Sequence, residues 1–501
     1  MEASLFSILY PLTISILLIF LITKLLFPKN TSTNHKLPPG PWKLPIIGSL
    51  HHLMGDHPHL RMTSLAKKYG PLFHLKLGEV DLMVITSPQL AAECMKTHDV
   101  NFAARPQFLS RKIILYNSDL VFASYGKHWT QLRKICTLEL FSNKRVKFLK
   151  PIMEEGAHNL VEKIRLADGS PVNITEMLFA VANATITRAA FGKEFAQQER
   201  FLSTIKETFK YLSGFNVADL FPSLNFLSDI SGLKTKMDRV HRVMDVILNE
   251  ILQEHERKNA INEDGATDEE DVVDILLRLH KDGGKDVPIT MDSVKGVILD
   301  LFLGGTETTG ATMDWAMAEL IRHPEVMRKA QLEVRRVLNG RAKINEVDFK
   351  DLPYLNMLIK ETLRLRTPAP ILVPRYSTET VELGGYTIPA GSRIVINAWA
   401  IMREQNGWED AERFLPERFE NNQVEFVGTN YQYIPFGGGR RICPGISFSM
   451  STMENVLANL LYHFDWKLPG GQNPKELEMK EVSGLSLTRK SDLFLIATPH
   501  N

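Results

Sequence analysis

Cysteine is scarce in this 501-residue chain, which contains only Cys94, Cys136 and Cys443. Three cysteines cannot form a disulfide framework, and their scarcity favours a reducing compartment. An excess of charge is missing as well, because 59 Lys and Arg residues balance 58 Asp and Glu residues. The resulting net charge of +1 gives no electrostatic basis for binding nucleic acid.

Charged residues are absent between Ala3 and Thr23, where most positions are Leu, Ile, Phe or Ser. A helix of about 20 such residues, at about 1.5 Å per residue, is just long enough to cross a hydrocarbon core of roughly 30 Å. A cleaved signal peptide is the alternative, but such peptides usually begin with positive charge and end in a small-residue cleavage site. Here the only early charge is Glu2, whereas Lys24 and Lys29 follow the stretch. We predict a retained membrane anchor whose C-terminal side faces the cytosol.

Cys443 lies near the end of a glycine-rich segment, Phe436-Gly-Gly-Gly-Arg-Arg-Ile-Cys-Pro-Gly445, and an apolar helical pattern follows it. A thiolate at that place would lie near a helix N-terminus, where free backbone N–H groups favour negative charge. The glycines would let the backbone approach a flat ligand closely. A buried structural cysteine is the alternative for such a residue. A deprotonated cysteine is also a known axial ligand of haem iron.

The spacing Phe-x-x-Gly-x-Arg-x-Cys-x-Gly fits this segment without a gap and resembles the haem-binding loop of the cytochrome P-450 superfamily. The resemblance implies a b-type haem with Cys443 as the fifth iron ligand, and Phe436 and Arg441 beside the cofactor. It also implies a mainly helical haem-thiolate fold with a smaller β-sheet region.

The remaining pattern agrees with such a fold. Leu72–Thr86 alternates around a turn and predicts a β-hairpin, and Gly385–Trp399 is rich in strand-forming residues. Arg145–Leu279 predicts several amphipathic helices, whereas Phe102–Phe122 is typical of a loop.

A long helix is predicted to open at Pro288 and Thr290 and to end at Arg322. Its middle reads Gly-Gly-Thr-Glu-Thr-Thr, and because glycine and threonine are poor residues inside a helix, a local kink is expected. A bend with a solvated glutamate is the alternative. The segment resembles the family's oxygen-binding motif, which implies that Glu307 and Thr308 form an acid–alcohol pair that relays protons through water.

Three further residues are assigned to the cofactor by the resemblance. Trp129 and Arg133 share one helix face at i, i+4 spacing, and the alternative is a surface arginine packed on a tryptophan. The resemblance implies that both bind a haem propionate, and that Arg375 meets a propionate as well.

Glu361 and Arg364 have i, i+3 spacing on an apolar helix, and Arg418 lies downstream in Pro416-Glu-Arg-Phe419. Exposed pairs of this kind contribute little stability. The resemblance implies a buried structural triad of Glu361, Arg364 and Arg418 that locks the Cys443 loop and has no catalytic role.

Mostly apolar residues from several segments are expected to line a substrate pocket, although ordinary core packing would have the same composition. They are Phe108, Ile113, Leu115, Leu301, Leu303, Gly304, Ala369, Ile371, Leu372, Val373 and Leu485.

The chain departs from the pattern of plant members at two places. It has Arg366-Thr367 where they usually carry His-Pro, and Arg403-Glu404-Gln405-Asn406 where they usually carry an Arg-Asp-Pro turn. These departures are expected to change local packing while leaving the haem ligand and the oxygen motif intact.

The resemblance covers nearly the whole chain and is closest to plant microsomal oxygenases of terpenoids or terpene-indole alkaloids. It implies a monooxygenase that uses O2 to oxidise a lipophilic specialised metabolite, with a terpenoid (a sesquiterpene or diterpene) as the first choice. An indole alkaloid, a phenylpropanoid or a fatty acid is the alternative substrate. Alternatives of another class are a haem-thiolate isomerase or dehydratase, and a haem-binding sensor.

No flavin- or NADPH-binding motif is present, so a separate NADPH-dependent flavoprotein reductase is expected to supply electrons. We predict an anchor over residues 1–27, a linker with a proline-rich hinge over 28–45 and a haem-thiolate domain over 46–501. The chain is expected in the endoplasmic reticulum membrane as a single-pass protein whose catalytic domain faces the cytosol.

Overall fold

The computed structural model describes residues 36–55, 57–212, 216–261, 270–283, 288–338, 351–420, 424–426, 430–484 and 486–500, together with Thr13 and Ser15. Apart from those two positions, the predicted anchor over residues 1–27 lies outside the described residues. Within the described ranges, no helix combines the length and the apolar character that crossing a membrane requires.

Helices dominate the described part of the chain, as the sequence predicts. In chain order they are α1 Pro58–Tyr69, α2 Pro88–Ala92, α3 Leu109–Ile113, α4 Lys127–Ile135, α5 Asn143–Arg165, α6 Ile174–Phe191, α7 Gln198–Phe209, α8 Val217–Leu220, α9 Leu227–Ile230, α10 Leu233–Ile261, α11 Val272–Lys281, α12 Met291–Gly305, α13 Glu307–Arg322, α14 Pro324–Leu338, α15 Pro353–Leu365, α16 Ala398–Ile401 and α17 Ile446–His463. Short 3-10 or π-helical turns are Leu50–Leu53, Glu93–Thr97, Cys136–Leu140, Pro222–Leu224, Pro416–Phe419, Gly439–Arg441, Pro469–Gly471 and Pro474–Glu476.

Helix α6 illustrates how local sequence sets these bounds. The Asn173 side chain accepts a hydrogen bond from the backbone N–H of Glu176 and so caps the helix N-terminus. At the other end, Gly192 adopts a left-handed φ of 71° and its N–H bonds to the Arg188 carbonyl. Between the two caps, α6 packs against α5 and α13, and its Arg188 pairs with Glu155 of α5.

The long helix predicted to run to Arg322 is two helices, α12 and α13, that meet at Thr306. It begins at Met291 rather than at Pro288, because the Thr290 hydroxyl accepts from the Ser293 N–H as an N-cap. The hydroxyl of Thr306 donates to the Phe302 carbonyl at 2.7 Å, in competition with the backbone N–H groups that normally use such a carbonyl. The predicted kink is confirmed at this residue.

Strands form small sheets at the edge of the helical body. In chain order they are β1 Leu72–Leu77, β2 Val80–Ile85, β3 Pro171–Asn173, β4 Arg375–Tyr376, β5 Val381–Leu383, β6 Tyr386–Ile388, β7 Arg393–Ile396, β8 Phe464–Lys467, β9 Glu481–Ser483, β10 Leu487–Arg489 and β11 Phe494–Pro499.

The largest sheet has four strands in the order β1-β2-β7-β4. The predicted hairpin is confirmed by the antiparallel pairing of Leu72 with Ile85, and β7 joins β2 in parallel. The other groups are β3-β11-β8, β9 with β10 and β5 with β6. The loop predicted over Phe102–Phe122 is confirmed except at Leu109–Ile113, where α3 forms.

Buried apolar residues form three clusters. The largest lies among α5, α6, α13, α14, α15 and α17, the second surrounds α12, and the third lies beneath β1 and β2. In the second cluster, the Phe302 ring stacks on Phe191 at 5.4 Å and meets Phe201 edge to face at 4.8 Å. Burial of one such aromatic side chain stabilises the fold by about 2–3 kcal/mol. The break at Thr306 lies where the first two clusters meet.

Candidate active site

The glycine-rich segment turns tightly before Cys443. A 3-10 turn at Gly439–Arg441 leads to the cysteine, whose N–H bonds to the Phe436 carbonyl at 3.0 Å. Gly439 has a φ of 65°, and a Cβ built there would lie 2.1 Å from the Met95 carbonyl oxygen. Only glycine fits this position. The turn delivers Cys443 to the N-terminal end of α17, which begins at Ile446.

Cys443 differs from the other two cysteines in its exposure and in its place before the N-terminus of α17. Burial raises the pKa of all three thiols, to about 12 for both Cys94 and Cys136. A nearby arginine acts in the opposite direction at each of them, and at Cys443 a backbone hydrogen bond from Gly445 does so as well. Cys443 is also partly exposed, whereas the other two are buried. It is the cysteine best placed to act as a thiolate ligand.

Arg441, two residues before the cysteine, is bound by backbone carbonyls alone. Its guanidinium donates to Ala103 O at 2.8 Å, to Ala123 O at 2.6 Å and to Leu120 O at 3.3 Å. It lies over the Trp129 ring, 4.2 Å from the centroid. Burial lowers the pKa of Arg441 to about 9. No carboxylate of the described residues forms an ion pair with it.

Two other buried arginines come close to Arg441. Arg375 donates to the Gly438 carbonyl at 2.9 Å, and Arg105 donates to the Val373 carbonyl at 2.7 Å. Burial lowers the pKa of Arg105, and the charges of Arg441 and Arg375 lower it further. Sequence analysis did not identify Arg105, because an isolated arginine in a loop carries no motif.

These three arginines create an unbalanced positive charge inside the protein. Among the described residues, the only carboxylate that pairs directly with Arg105, Arg375 or Arg441 is Asp99, which lies 3.4 Å from Arg375. Asp99 is shared with Arg440 at 3.2 Å. Buried charges without counter-ions are costly, so the site suits an anionic ligand. A haem, with its two propionates, fits this donor set and the nearby cysteine.

Trp129 and Arg133 both lie on α4, but their side chains make different contacts. The indole N–H of Trp129 donates to the Leu120 carbonyl at 3.0 Å, and the indole ring lies beneath the Arg441 guanidinium. Arg133 lies near Cys443, and burial lowers its pKa while the cysteine opposes that effect. It has no hydrogen-bond partner among the described residues and is free to bind an anion.

Glu307 and Thr308 begin α13 beside the helix break. Burial raises the pKa of Glu307 to about 7, against a hydrogen bond from Ser486 and the charge of Lys206. Its Oε2 has no hydrogen-bond partner among the described residues. The Thr308 hydroxyl donates to the Gly304 carbonyl at 2.6 Å rather than to Glu307. The two side chains are therefore neighbours in sequence that do not bond directly to each other.

Glu361, Arg364 and Arg418 meet in the core. Both Glu361 carboxylate oxygens accept from Arg364, at 2.7 and 3.0 Å, and Oε1 also accepts from Arg418 at 2.9 Å. Glu361 and Arg364 have fully buried side chains. The Leu415 N–H adds a fourth bond to the carboxylate at 2.9 Å. The arrangement ties α15 to the segment that carries Arg418.

The predicted pocket residues lie in different parts of the apolar interior. Phe108, Leu115 and Leu303 are buried in the cluster around α12, and Ile113, Leu301 and Val373 pack against that cluster. Ile371 and Leu372 pack against the other two clusters, and Ala369 is partly exposed. A Cβ added at Gly304 would meet nothing within 4 Å. Leu485 lies outside the described residues.

Two contacts at the site lie beyond the predicted set. Ser486 reaches Glu307, as described above, and Asp300 lies one helical turn before Gly304. The Asp300 carboxylate accepts from the backbone N–H groups of Leu120 at 2.6 Å and Val121 at 3.1 Å. The loop that binds Arg441 is thereby fastened to α12. An acidic residue in an otherwise apolar helix was the available signal for Asp300, whereas Ser486 had none.

His255, Asp271 and Asp274 form the only grouping among the described residues that could hold a metal through side chains alone. Their donor atoms are already used, because His255 bonds to Asp271 at 3.0 Å and Asn259 bonds to Asp274 at 3.0 Å. Asp271 and Asp274 also cap α11 reciprocally. This cluster is explained by helix capping.

Comparison with known proteins gives one consistent result. The family model described as Cytochrome P450 matches residues 38–496. Premnaspirodiene oxygenase of Hyoscyamus muticus is 48% identical over 97% of this chain and 98% of its own length. The 5-epiaristolochene 1,3-dihydroxylase of Nicotiana tabacum is 45% identical over 97% and 98%, and desmethyl-deoxy-podophyllotoxin synthase of Sinopodophyllum hexandrum is 47% identical over 98% and 97%.

The fold is also similar to a solved structure. A zebra fish cytochrome P450 with progesterone superposes with a TM-score of 0.75 at 25% sequence identity, covering 89% of this chain and 100% of that chain.

Proposed function

The chain belongs to the cytochrome P450 family, and we propose that it is a haem-thiolate monooxygenase that inserts one oxygen atom of O2 into a C–H bond of a sesquiterpene. The observation that carries this proposal is the position of Cys443 at the start of α17, beside buried arginines that lack counter-ions. The full-length similarity to oxygenases named for sesquiterpenes supports the substrate class.

Bound haem would supply cleavage of the O–O bond, with a thiolate ligand donating electron density to the iron. Cys443 would be that ligand. Arg441, Arg375 and Arg133 would neutralise the propionates, and the Trp129 ring would hold Arg441 in place. Phe436 packs against Phe426 at 5.3 Å and would keep the cysteine loop closed behind the cofactor.

Proton delivery is assigned to Glu307. A carboxyl with a pKa of about 7 can both hold and release a proton near neutral pH. Its unpartnered Oε2 leaves room for a water-mediated contact. Thr308 lies next along α13 and would pass the proton onward, after its hydroxyl turns away from the Gly304 carbonyl.

An apolar substrate agrees with the predicted lining. Phe108, Leu115 and Leu303 are buried in the apolar cluster around α12, and Val373 packs against it; burial of a terpene against apolar surface is favourable at about 25 cal/mol per Å². Oxidation of an aromatic specialised metabolite is the second candidate, because a relative named for podophyllotoxin synthesis is 47% identical.

The electron source is assigned to a separate NADPH-dependent reductase, since the sequence has no flavin or NADPH motif. We further propose the arrangement that the sequence predicts, with an anchor over 1–27, a hinged linker over 28–45 and the haem domain over 46–501. The enzyme would then share the endoplasmic reticulum membrane with its reductase, with the haem domain in the cytosol.

A substrate panel tests this proposal. Microsomes that contain the full chain and a plant reductase are incubated with premnaspirodiene, 5-epiaristolochene and germacrene A under ¹⁸O₂, with Cys443→Ala microsomes as the control. We expect NADPH-dependent formation of a product that carries one ¹⁸O atom. Folded enzyme that converts none of the three but oxidises an indole alkaloid or a phenylpropanoid would overturn the substrate class. Turnover of a hydroperoxide without NADPH or O2 would instead indicate an isomerase or dehydratase.

A further inference from the structure

We propose that Arg366 is a positioning residue that fastens the β9–β10 hairpin to α13, the helix that begins with Glu307. Arg366 lies in Arg366-Thr367, one of the two places at which the sequence departs from the pattern of the family it resembles. The inference rests on the proposed function in treating Glu307 as the proton donor.

Arg366 joins two separate elements through one guanidinium. Its Nε lies 2.8 Å from Glu319 Oε1 on α13, and its Nη1 lies 3.0 Å from Glu481 Oε1 on β9. The same group covers the Trp315 ring at 4.6 Å. A planar guanidinium with donors in a fixed fork can bind two carboxylates and an aromatic face at once.

The carboxylates that Arg366 binds are shielded from water. The side chain of Glu319 is 2% exposed and that of Glu481 is 12% exposed. Burial alone would raise the pKa of Glu481, but a hydrogen bond from His59 and the charges of Arg366 and Arg403 lower it below its ordinary value. Arg366 is the guanidinium that the two carboxylates share, while His323 lies 3.4 Å from Glu319 and His59 lies 3.7 Å from Glu481. Removing the shared partner is costly, since an unpaired buried charge is strongly unfavourable.

The rest of the hairpin is fastened to α13 and to the segment that follows Arg366. The Leu487 N–H donates to the Pro368 carbonyl at 2.8 Å, two residues beyond Arg366. The Leu487 carbonyl accepts from the Trp315 indole at 3.0 Å, and Arg489 lies 3.7 Å from Asp314. Arg366 secures the β9 side, where Glu481 pairs with Arg489 in the ladder. Ser486 directly precedes β10, so its position follows from these contacts.

Histidine could not make the same bridge. Its ring has two nitrogens on a short side chain, and one of them must be protonated for each hydrogen bond that it donates. The Arg366 guanidinium reaches both carboxylates together. Loosening the hairpin would change its position against α13, the helix that begins with Glu307.

The test compares Arg366→Lys and Glu481→Gln with a matched control, Arg335→Met. Lysine keeps the charge but presents one ammonium in place of a fork. Arg335 has a similarly covered side chain, 17% exposed against 15%, and pairs with Asp465 at 2.8 Å on a different part of the fold. Equal amounts of enzyme with an intact thiolate CO spectrum are compared by product per NADPH consumed, by the ratio of product isomers, and by hydrogen exchange of the β9 and β10 amides.

We expect both test variants to lose at least threefold in product per NADPH, to shift the isomer ratio and to exchange the hairpin amides at least tenfold faster, while Arg335→Met matches the parent. Hairpin exchange and product ratios equal to those of the parent in both test variants would overturn the proposal. Because hairpin exchange requires no substrate, it still decides the inference if the sesquiterpene panel fails.

Discussion

At the scale of single residues, the chemistry of the site depends on differences in surroundings between side chains of the same type. Burial raises the thiol pKa of Cys94 and Cys136 to about 12 and keeps both thiols neutral, although the charges of Arg375 and Arg133 act against it. Cys443 is partly exposed before the N-terminus of α17 and has the Gly445 N–H beside it. Arg441 is likewise distinguished from surface arginines by having carbonyls, and no carboxylate, as partners. Cys443 would suit a metal cation as its ligand, and Arg441 would suit an anion.

Glu307 gives a prediction at the same scale. Because burial raises its pKa to about 7, Glu307 carries its proton below that pH and loses it above. Product formation per haem should therefore fall as the pH rises through about 7. Glu307→Gln should reduce product per NADPH by at least tenfold, since an amide cannot release a proton, and should remove this pH dependence.

The measurement is product and peroxide yield between about pH 6 and pH 8.5, with Thr306→Ser as a control that keeps the hydroxyl at the helix break. A parental pH profile in Glu307→Gln would exclude Glu307 as the proton donor.

At the scale of elements, the break between α12 and α13 brings the helix surface and the proton donor together. The hydroxyls of Thr306 and Thr308 each donate a hydrogen bond to the backbone carbonyl four residues earlier. Asp300, on the same helix before the break, fastens the loop that binds Arg441. The two helices that meet at Thr306 therefore position both Glu307 and the loop that binds Arg441.

The Glu361 triad provides a prediction for the elements behind the cysteine loop. Glu361→Gln removes the charge shared by Arg364 and Arg418, which are both buried. Loss of one partner from a buried ion pair destabilises a fold by about 3–5 kcal/mol, so the variant should lose its haem-thiolate spectrum at much lower urea concentration. Arg413→Met, which removes an exposed pair with Asp410 at 4.0 Å, should change stability by less than about 1 kcal/mol. Equal urea midpoints for the two variants would contradict a locking role.

Sequence predicted the features that repeat or that carry a fixed spacing. The β1–β2 hairpin followed from alternation, and the break at Thr306 followed from glycine and threonine inside a helix. The single helix α3 was missed because five residues give too little periodicity to distinguish it from a loop. Arg105 and Ser486 were missed because their contacts join segments far apart in sequence, and no local pattern records such contacts.

At the scale of the whole molecule, three apolar clusters form the interior of the described chain, and the break between α12 and α13 lies where two of them meet. The net charge of +1 leaves specific surface residues, rather than an overall field, to guide the reductase. Near Cys443, Arg105 and Arg441 form no ion pair with a carboxylate of the described residues, and Arg375 shares Asp99 with Arg440. An anionic, iron-containing cofactor would neutralise this positive charge.

The most direct test of this account is the reduced, carbon monoxide-bound difference spectrum of the full chain in fresh microsomes, compared with Cys443→Ala and with Cys136→Ala as the matched cysteine control. We predict the red-shifted Soret band of a thiolate-ligated haem in the parent and in Cys136→Ala, and its loss in Cys443→Ala. A parent band at the shorter wavelength typical of histidine ligation, or a red-shifted band that survives in Cys443→Ala, would contradict the account.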